Sequence, residues 1–402
     1  MPKHFAIPSS SLKNTTIAQL DLDEISGDNA LVFSHDVLQN FIREERRHET
    51  TFLDEQNARS LQQYSSGEQK KALLKYLLAQ RPKYLILDNP FDALDKASVA
   101  RLKDEFFALK EDIQFVQIFR RKDEILSFIY TVIVFAHGEK KSYTTNEFLQ
   151  EPEHESTFGD IQIPEPYEAI EDVPEVLFEM KNVSVSYDRP ILNNISWQVK
   201  KGEFWQLMGP NGSGKTTILD MLFGNNVKGY GQELYLFGKK KGSGESVWEI
   251  KKKIGYYSPA MTSMFDTSNT AREMILSGFF DSVGLYEQPR LAQKKIADQW
   301  LEIIDLKNDK RTFNTLTATQ RCLTLIARAM VKHPPLLILD EPTAALDDEG
   351  ARLVAFLINK IAAETQTTIL YVCHRDEPGL EPQLILKLTP DSDGSKAEKK
   401  SM

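Results

Sequence analysis

The chain has 402 residues, a formal net charge of -9, 41% hydrophobic and 27% charged residues. That length suits two domains, and the composition excludes both wholesale disorder and a membrane-embedded bulk. The acidic balance speaks against a broad nucleic-acid-binding face, and the lysine clusters Lys239–Lys241 and Lys251–Lys253 read as solvated loop and strand-end charge. The first residues lack the apolar core and cleavage site of a signal peptide. Only Cys322 and Cys373 occur, far apart, so a reducing, cytoplasmic setting without structural disulfides is expected.

In chain order, the first expected element is an apolar strand at Phe5–Ile7 that runs into PSSSLKNTT, Pro8 to Thr16. Farther on, RPKYLILDNPFDALD (Arg81–Asp95) overlays HPPLLILDEPTAALD (His333–Asp347) without a gap at an offset of 252, with nine identical pairs. In both copies a short apolar run ends in an aspartate, Asp88 or Asp340, with a proline two positions on. A buried parallel strand delivers a carboxylate to the carboxyl edge of a sheet in this way, and ligands of open α/β sheets bind at that edge. The apolar stretch Leu126–Ala136 is too short to span a membrane and reads as another buried strand. From Ser142 to Met180 there is no Lys or Arg but there are eleven acidic residues, so a solvated, partly extended linker is expected at 151–174.

The second half opens with Tyr187, 22 residues before Gly209, where an aromatic ring can stack on adenine. After the apolar segment Phe204–Met208 comes GPNGSGKTT: Gly209, Pro210, Asn211, Gly212, Ser213, Gly214, Lys215, Thr216 and Thr217. This fits the phosphate-binding P-loop. Its glycines let backbone amides turn inward around a phosphate, Lys215 supplies a point charge, Thr216 offers a hydroxyl to Mg²⁺, and the helix that starts there adds its positive end. Asp340 is the expected second Mg²⁺ residue, and Glu341 can orient and deprotonate an attacking water. His374 follows another apolar run, in LYVCHRDE, where its imidazole can reach a terminal phosphate. Residues 393–402 read as a flexible tail.

The P-loop, LLILDEP, AALD and His374, in that order, resemble an ATP-binding-cassette (ABC) ATPase, and the resemblance covers both halves. It implies an α/β fold of two tandem P-loop NTPase domains, the first truncated and degenerate at 1–150 and the second complete at 175–392, with ATP and Mg²⁺ as ligands. It also implies a signature motif, usually LSGGQ, which opens a helix in one cassette and caps the γ-phosphate held by another in a head-to-tail pair. That motif is represented by YSSGEQ (Tyr64–Gln69) and by LTATQ (Leu316–Gln320). In the first half the P-loop position has no glycine, the lysine position falls on Asn14, Asn89 replaces the general base, and no histidine lies between His48 and His137. The signatures show the opposite bias: Ser65, Ser66 and Gly67 are kept, whereas Ala318 and Thr319 put Cβ atoms where bare backbone is needed. Paired head to tail, within one chain or between two, the intact loop meets the intact signature.

Ser258 and Pro259, after IGYY, stand where the family carries a coupling glutamine. FSHDVLQNFIREE and YSSGEQKK are similar to segments of bacterial tandem-cassette proteins described as molybdate-transport or photorepair ATP-binding proteins. The expectation is therefore an ABC ATPase engine, cytoplasmic and peripheral at the inner face of the membrane, whose partners are permease subunits. The alternative is a soluble ATP-gated interaction module, or a translation or nucleic-acid-associated factor, with no permease.

Overall fold

The structure is a computed structural model that describes residues 3–12, 30–48, 60–136, 139–151, 161–244, 246–265 and 268–401. Two compact units emerge, one of Met1–His154 with Ala344–Glu349, the other of Glu155–Thr343 with Gly350–Met402. Both are mixed α/β.

The first unit contains β1 (Phe5–Pro8), β2 (Ala30–Phe33), α1 (His35–His48), α2 (Ser66–Ala79), β3 (Tyr84–Asp88) and α3 (Lys96–Ala108), then β4 (Gln114–Phe119), β5 (Thr131–Ala136), β6 (Glu139–Thr144) and α4 (Thr145–Gln150). Its strands form one sheet in the order β2-β3-β4-β1-β5-β6, parallel except for the antiparallel pair β5-β6. Strands β1, β3 and β4 are buried nearly throughout, as continuous apolar runs covered on both faces must be. Phe33, Leu73, Leu85, Phe106 and Phe115 lie at the centre of the core between sheet and helices. Of the run Leu126–Ala136, only the part from Thr131 is strand; Leu126, Phe128 and Ile129 are buried in the loop that leads into it.

The second unit repeats this sheet. Its elements are β7 (Val176–Ser186), β8 (Pro190–Lys200), β9 (Phe204–Met208), α5 (Lys215–Leu222), β10 (Glu233–Leu236), β11 (Lys239–Lys240), α6 (Val247–Lys252), β12 (Ile254–Tyr257) and α7 (Met261–Met264). Then follow α8 (Ala271–Ser277), α9 (Leu291–Ile303), α10 (Ala318–Met330), β13 (Leu336–Asp340), α11 (Asp348–Glu364), β14 (Thr368–Cys373), β15 (Leu384–Thr389) and β16 (Lys396–Ser401). The six-stranded order β12-β13-β14-β9-β15-β16 matches the first unit position by position. A four-stranded sheet, β11-β10-β7-β8, is added to it and carries Tyr187 just past β7.

Two sequence expectations need correction. Residues 396–401 are not a loose tail: β16 pairs antiparallel with β15 from Leu384↔Ser401 to Thr389↔Lys396, because an edge strand needs only one backbone partner and its lysines can stay in water. The acidic stretch keeps Glu165, Glu168, Glu171 and Asp172 exposed, as a solvated linker does, but it is not loose along its described part. Ile163 and Pro164 are buried, the Ile163 N–H donates to Glu364 Oε2 at 2.8 Å, and Arg290 Nη1 donates to the Tyr167 hydroxyl at 2.8 Å. A few apolar residues in an acidic segment are enough to dock it.

Candidate nucleotide site

The second unit brings Lys215, Asp340, Glu341 and His374 together at the carboxyl edge of its sheet. Strand β9 delivers the chain to Gly209, and the loop turns into α5 at Gly214, whose φ of +93° belongs to the left-handed region. A side chain there would also strike Leu192 Cδ2 at 2.5 Å on a backbone that already strains it, and a Cβ on Gly209 would lie 2.5 Å from Ser213 Oγ and displace that hydroxyl. Lys215, only 7% exposed, folds back and donates from Nζ to the carbonyls of Gly209 at 2.7 Å and Pro210 at 3.2 Å. The Ser213 hydroxyl is buried with no hydrogen-bond partner. An ammonium parked on carbonyls, an orphaned hydroxyl and a helix N-terminus form a cradle suited to an anion.

Asp340 ends β13, and β14, its parallel neighbour, ends one residue before His374. Glu341 has φ of +47°, a strained conformation that turns its carboxylate toward His374, with Glu341 Oε1 3.1 Å from His374 Nδ1. The two adjacent carboxyls diverge. Burial, reinforced by Glu341 and opposed by Lys215, pushes Asp340 up to about 6. Burial also pushes Glu341 up, but the hydrogen bond with His374, with Lys215 and Arg375 beyond it, holds Glu341 below the ordinary glutamate value. A buried carboxyl that resists ionisation without a counter-charge is the group a divalent cation would stabilise, so Asp340 with Thr216 fits Mg²⁺. Behind these loops Thr343 Oγ1 donates to Glu377 Oε2 at 2.7 Å and lies 3.0 Å from the Tyr371 hydroxyl. Tyr187 is 52% exposed, and its hydroxyl accepts from Asn226 Nδ2 at 2.7 Å.

The first unit has the same strands with a different edge. Asn89 has φ of +44°, and its N–H donates to Ile118 across the sheet as that of Glu341 does to Val372. Its Nδ2 donates to Asp88 Oδ1 at 2.7 Å, and its own Oδ1 is buried without a partner. The strand registers Asp88↔Ile118 and Asp340↔Val372 place Arg120 where the second unit has His374. Arg120 makes an ion pair with Asp92. Sequence reasoning found the histidine missing but not what replaced it, because the offset between copies grows from 252 at β3 to 254 at β4. Ser9–Leu12 form a short 3-10 turn after β1, while Asn14 lies outside the described residues.

Both signature segments begin helices. Ser65 caps α2, accepting from Glu68 N–H at 3.3 Å while the Glu68 carboxylate accepts from Ser65 N–H at 2.8 Å. Thr317 caps α10 through the corresponding pair with Gln320. Ser66 and Gly67 thus stand in the first turn of α2, and Ala318 and Thr319 in the first turn of α10.

A family model described as ABC transporter matches residues 192–344. The ABC transporter ATP-binding protein ModF of Escherichia coli (strain K12) is 41% identical over 344 residues, covering 82% of this chain and 69% of that protein. The chain belongs to the ABC ATPase family. An uncharacterized ABC transporter ATP-binding protein of Schizosaccharomyces pombe, C323.04, is 28% identical over 330 residues, 79% of this ABC chain and 66% of that one. A chain of the structure described as a model of ribosome-bound archaeal Pelota and ABCE1 covers 100% of this chain at a TM-score of 0.64 and 17% identity, a likeness of fold. Among the described residues of this ABC protein, no helix is long and apolar enough to cross a membrane, and both cysteines are free and buried.

Proposed function

We propose that this ABC protein hydrolyses ATP at one composite site, built from the second unit's P-loop, Asp340, Glu341 and His374 with Ser65, Ser66 and Gly67 of a first unit, and that it is the ATPase component of a transport system. The name carried by the ModF relative supports the transport reading. The observation that carries the single site is the asymmetry between two copies of one sheet: Glu341 and His374 meet at one edge beside Lys215, whereas Asn89 and Arg120 occupy the places of Glu341 and His374 in the other.

In this reading the amides of Gly209–Thr217 and the Lys215 ammonium hold the phosphates, and Tyr187 stacks on the adenine ring. Bound Mg²⁺, held by Thr216 and Asp340, would neutralise charge on the phosphate oxygens. Glu341 accepts the proton of the attacking water, for which it is kept ionised and fixed in orientation by His374. His374 keeps that carboxylate aimed and presents its other ring nitrogen to the terminal phosphate. The start of α2 supplies amides from the opposite side.

The test is equilibrium binding of a non-hydrolysable ATP analogue with Mg²⁺ to the full chain. One site per chain is expected, and two sites of similar affinity would refute the single-site reading. One observation favours the alternative of a permease-free, ATP-gated module or translation factor: Ser258, buried at the end of β12, replaces the coupling glutamine implied by the family resemblance. Recovery of the ATP-trapped protein from cells in the soluble fraction, without membrane subunits, would support that alternative.

A further inference from the structure

Lys70 is not used by the site described above, yet it is among the most buried cations of the first unit, 5% exposed. It lies on α2 one turn beyond Gly67, and its Nζ donates to the carbonyls of Pro90 and Asp92, both at 2.7 Å. Those carbonyls belong to the turn that leaves β3 after Asp88 and ends at Asp95, whose side chain caps α3 by accepting from Ser98 N–H at 2.8 Å. Gly67 rests on the same cap: a Cβ built on it would sit 3.2 Å from Ser98 Oγ. The Asp92 carboxylate, in turn, is held by Arg120. The start of α2, the 90–95 turn and the start of α3 are therefore one assembly, with the Lys70 ammonium at its junction.

Burial lowers the proton affinity of Lys70 to about 8, with Asp92 and Glu124 opposing and Arg120 assisting that shift. A buried charge of this kind is a poor device for stability alone, since a well-packed apolar side chain does as well or better. The other copy makes the comparison. At the position 252 residues later stands Cys322, whose Sγ donates to the Pro342 carbonyl at 3.2 Å, a weak bond from a buried thiol. The copy with the degraded helix start, Ala318 and Thr319, has the weak clip. The copy that kept Ser65, Ser66 and Gly67 has the strong one.

We propose that Lys70 is a positioning residue for ATP hydrolysis: it locks the amides at the start of α2, together with the 90–95 turn, in the arrangement that meets the terminal phosphate. The inference rests on the composite-site reading. It requires that loss of the clip slow turnover without weakening ATP binding, because every P-loop contact is in the other unit.

The experiment measures kcat, KM, analogue affinity and thermal unfolding of the full chain for Lys70→Met, Lys70→Arg and Gly67→Asp. Lys70→Met should lower kcat by about tenfold to a hundredfold, the scale on which small misplacements act, with KM and analogue affinity within about twofold. Lys70→Arg, which restores a charged donor, should recover most of the loss. Wild-type kcat in Lys70→Met beside an inactive Gly67→Asp would overturn the Lys70 inference and leave the composite site standing. Full activity in Gly67→Asp would overturn the composite site itself. Should Lys70→Met not fold, Lys70→Gln, which keeps the position polar but lacks the charge and the length to hold both carbonyls, decides the matter: reduced kcat at unchanged KM supports the role, and wild-type kcat ends it.

Discussion

At the scale of single residues, the neighbouring carboxyls of Asp340 and Glu341 do opposite things because their surroundings differ. Glu341, ionised and held by His374, is the base of the proposed reaction; Glu341→Gln keeps the shape but cannot take a proton. Turnover in that variant should fall by about 10² to 10⁴, the usual contribution of a general base, while nucleotide binding persists in an equilibrium assay. Turnover near wild type would remove Glu341 from the role. Asp340 allows a test on stability as well. Its folded-state value of about 6 lies above the ordinary aspartate value of 3.8, so the folded protein gains from its protonated form at low pH. That stability is fully present below the unfolded value and is lost as pH rises through about 6. Without nucleotide or Mg²⁺, Asp340→Asn should therefore be more stable than wild type at pH 7.5 by about 1 to 3 kcal/mol, and so melt higher. The gap should close near pH 4, where both side chains are neutral. The same variant should lose turnover. Equal melting at pH 7.5 would show that burial and Glu341 do not burden the carboxylate.

At the scale of elements, the contrast lies between two helix starts that are capped alike and differ in their first turn. Gly67→Asp puts a carboxylate where the α2 amides are proposed to meet a phosphate, and like charges there are costly. Hydrolysis should be abolished, and ATP affinity should fall much less. Thr319→Asp makes the same chemical change on α10 and should do little. Steady-state turnover of the two variants side by side is the measurement, and equal losses would defeat the head-to-tail, single-site reading. The P-loop, the Asp340–Glu341 pair and His374 were legible because a strand, a turn and a charged residue at fixed spacing leave few other structures for those residues. Arg120 was not, because two residues more separate β13 from β14 than β3 from β4, which breaks the offset that would have aligned it with His374. Lys70 was hidden for another reason. Its partners are main-chain carbonyls, and no residue type announces a carbonyl. The docking of Ile163 and the pairing of β16 are not legible in the sequence because both rest on main-chain groups in segments whose side chains are mostly charged.

At the scale of the whole molecule, one sheet order occurs twice, and in each copy the outer strands share a character. The strand at one end, β2 or β12, is only four residues long. The strand at the other end, β6 (EKKSYT) or β16 (KAEKKS), is rich in lysine and mostly exposed. An open sheet edge is a row of unused backbone donors and acceptors, ready to recruit a foreign strand, and each of these two six-stranded sheets ends in two such strands among the described residues. Shortness leaves an incoming strand too little to grip, and paired lysines make it approach against charge and give up well-hydrated ammonium groups. Repeating the sheet repeats this hazard, and in both copies the exposed lysines of β6 and β16 stand where they oppose amyloid-like growth.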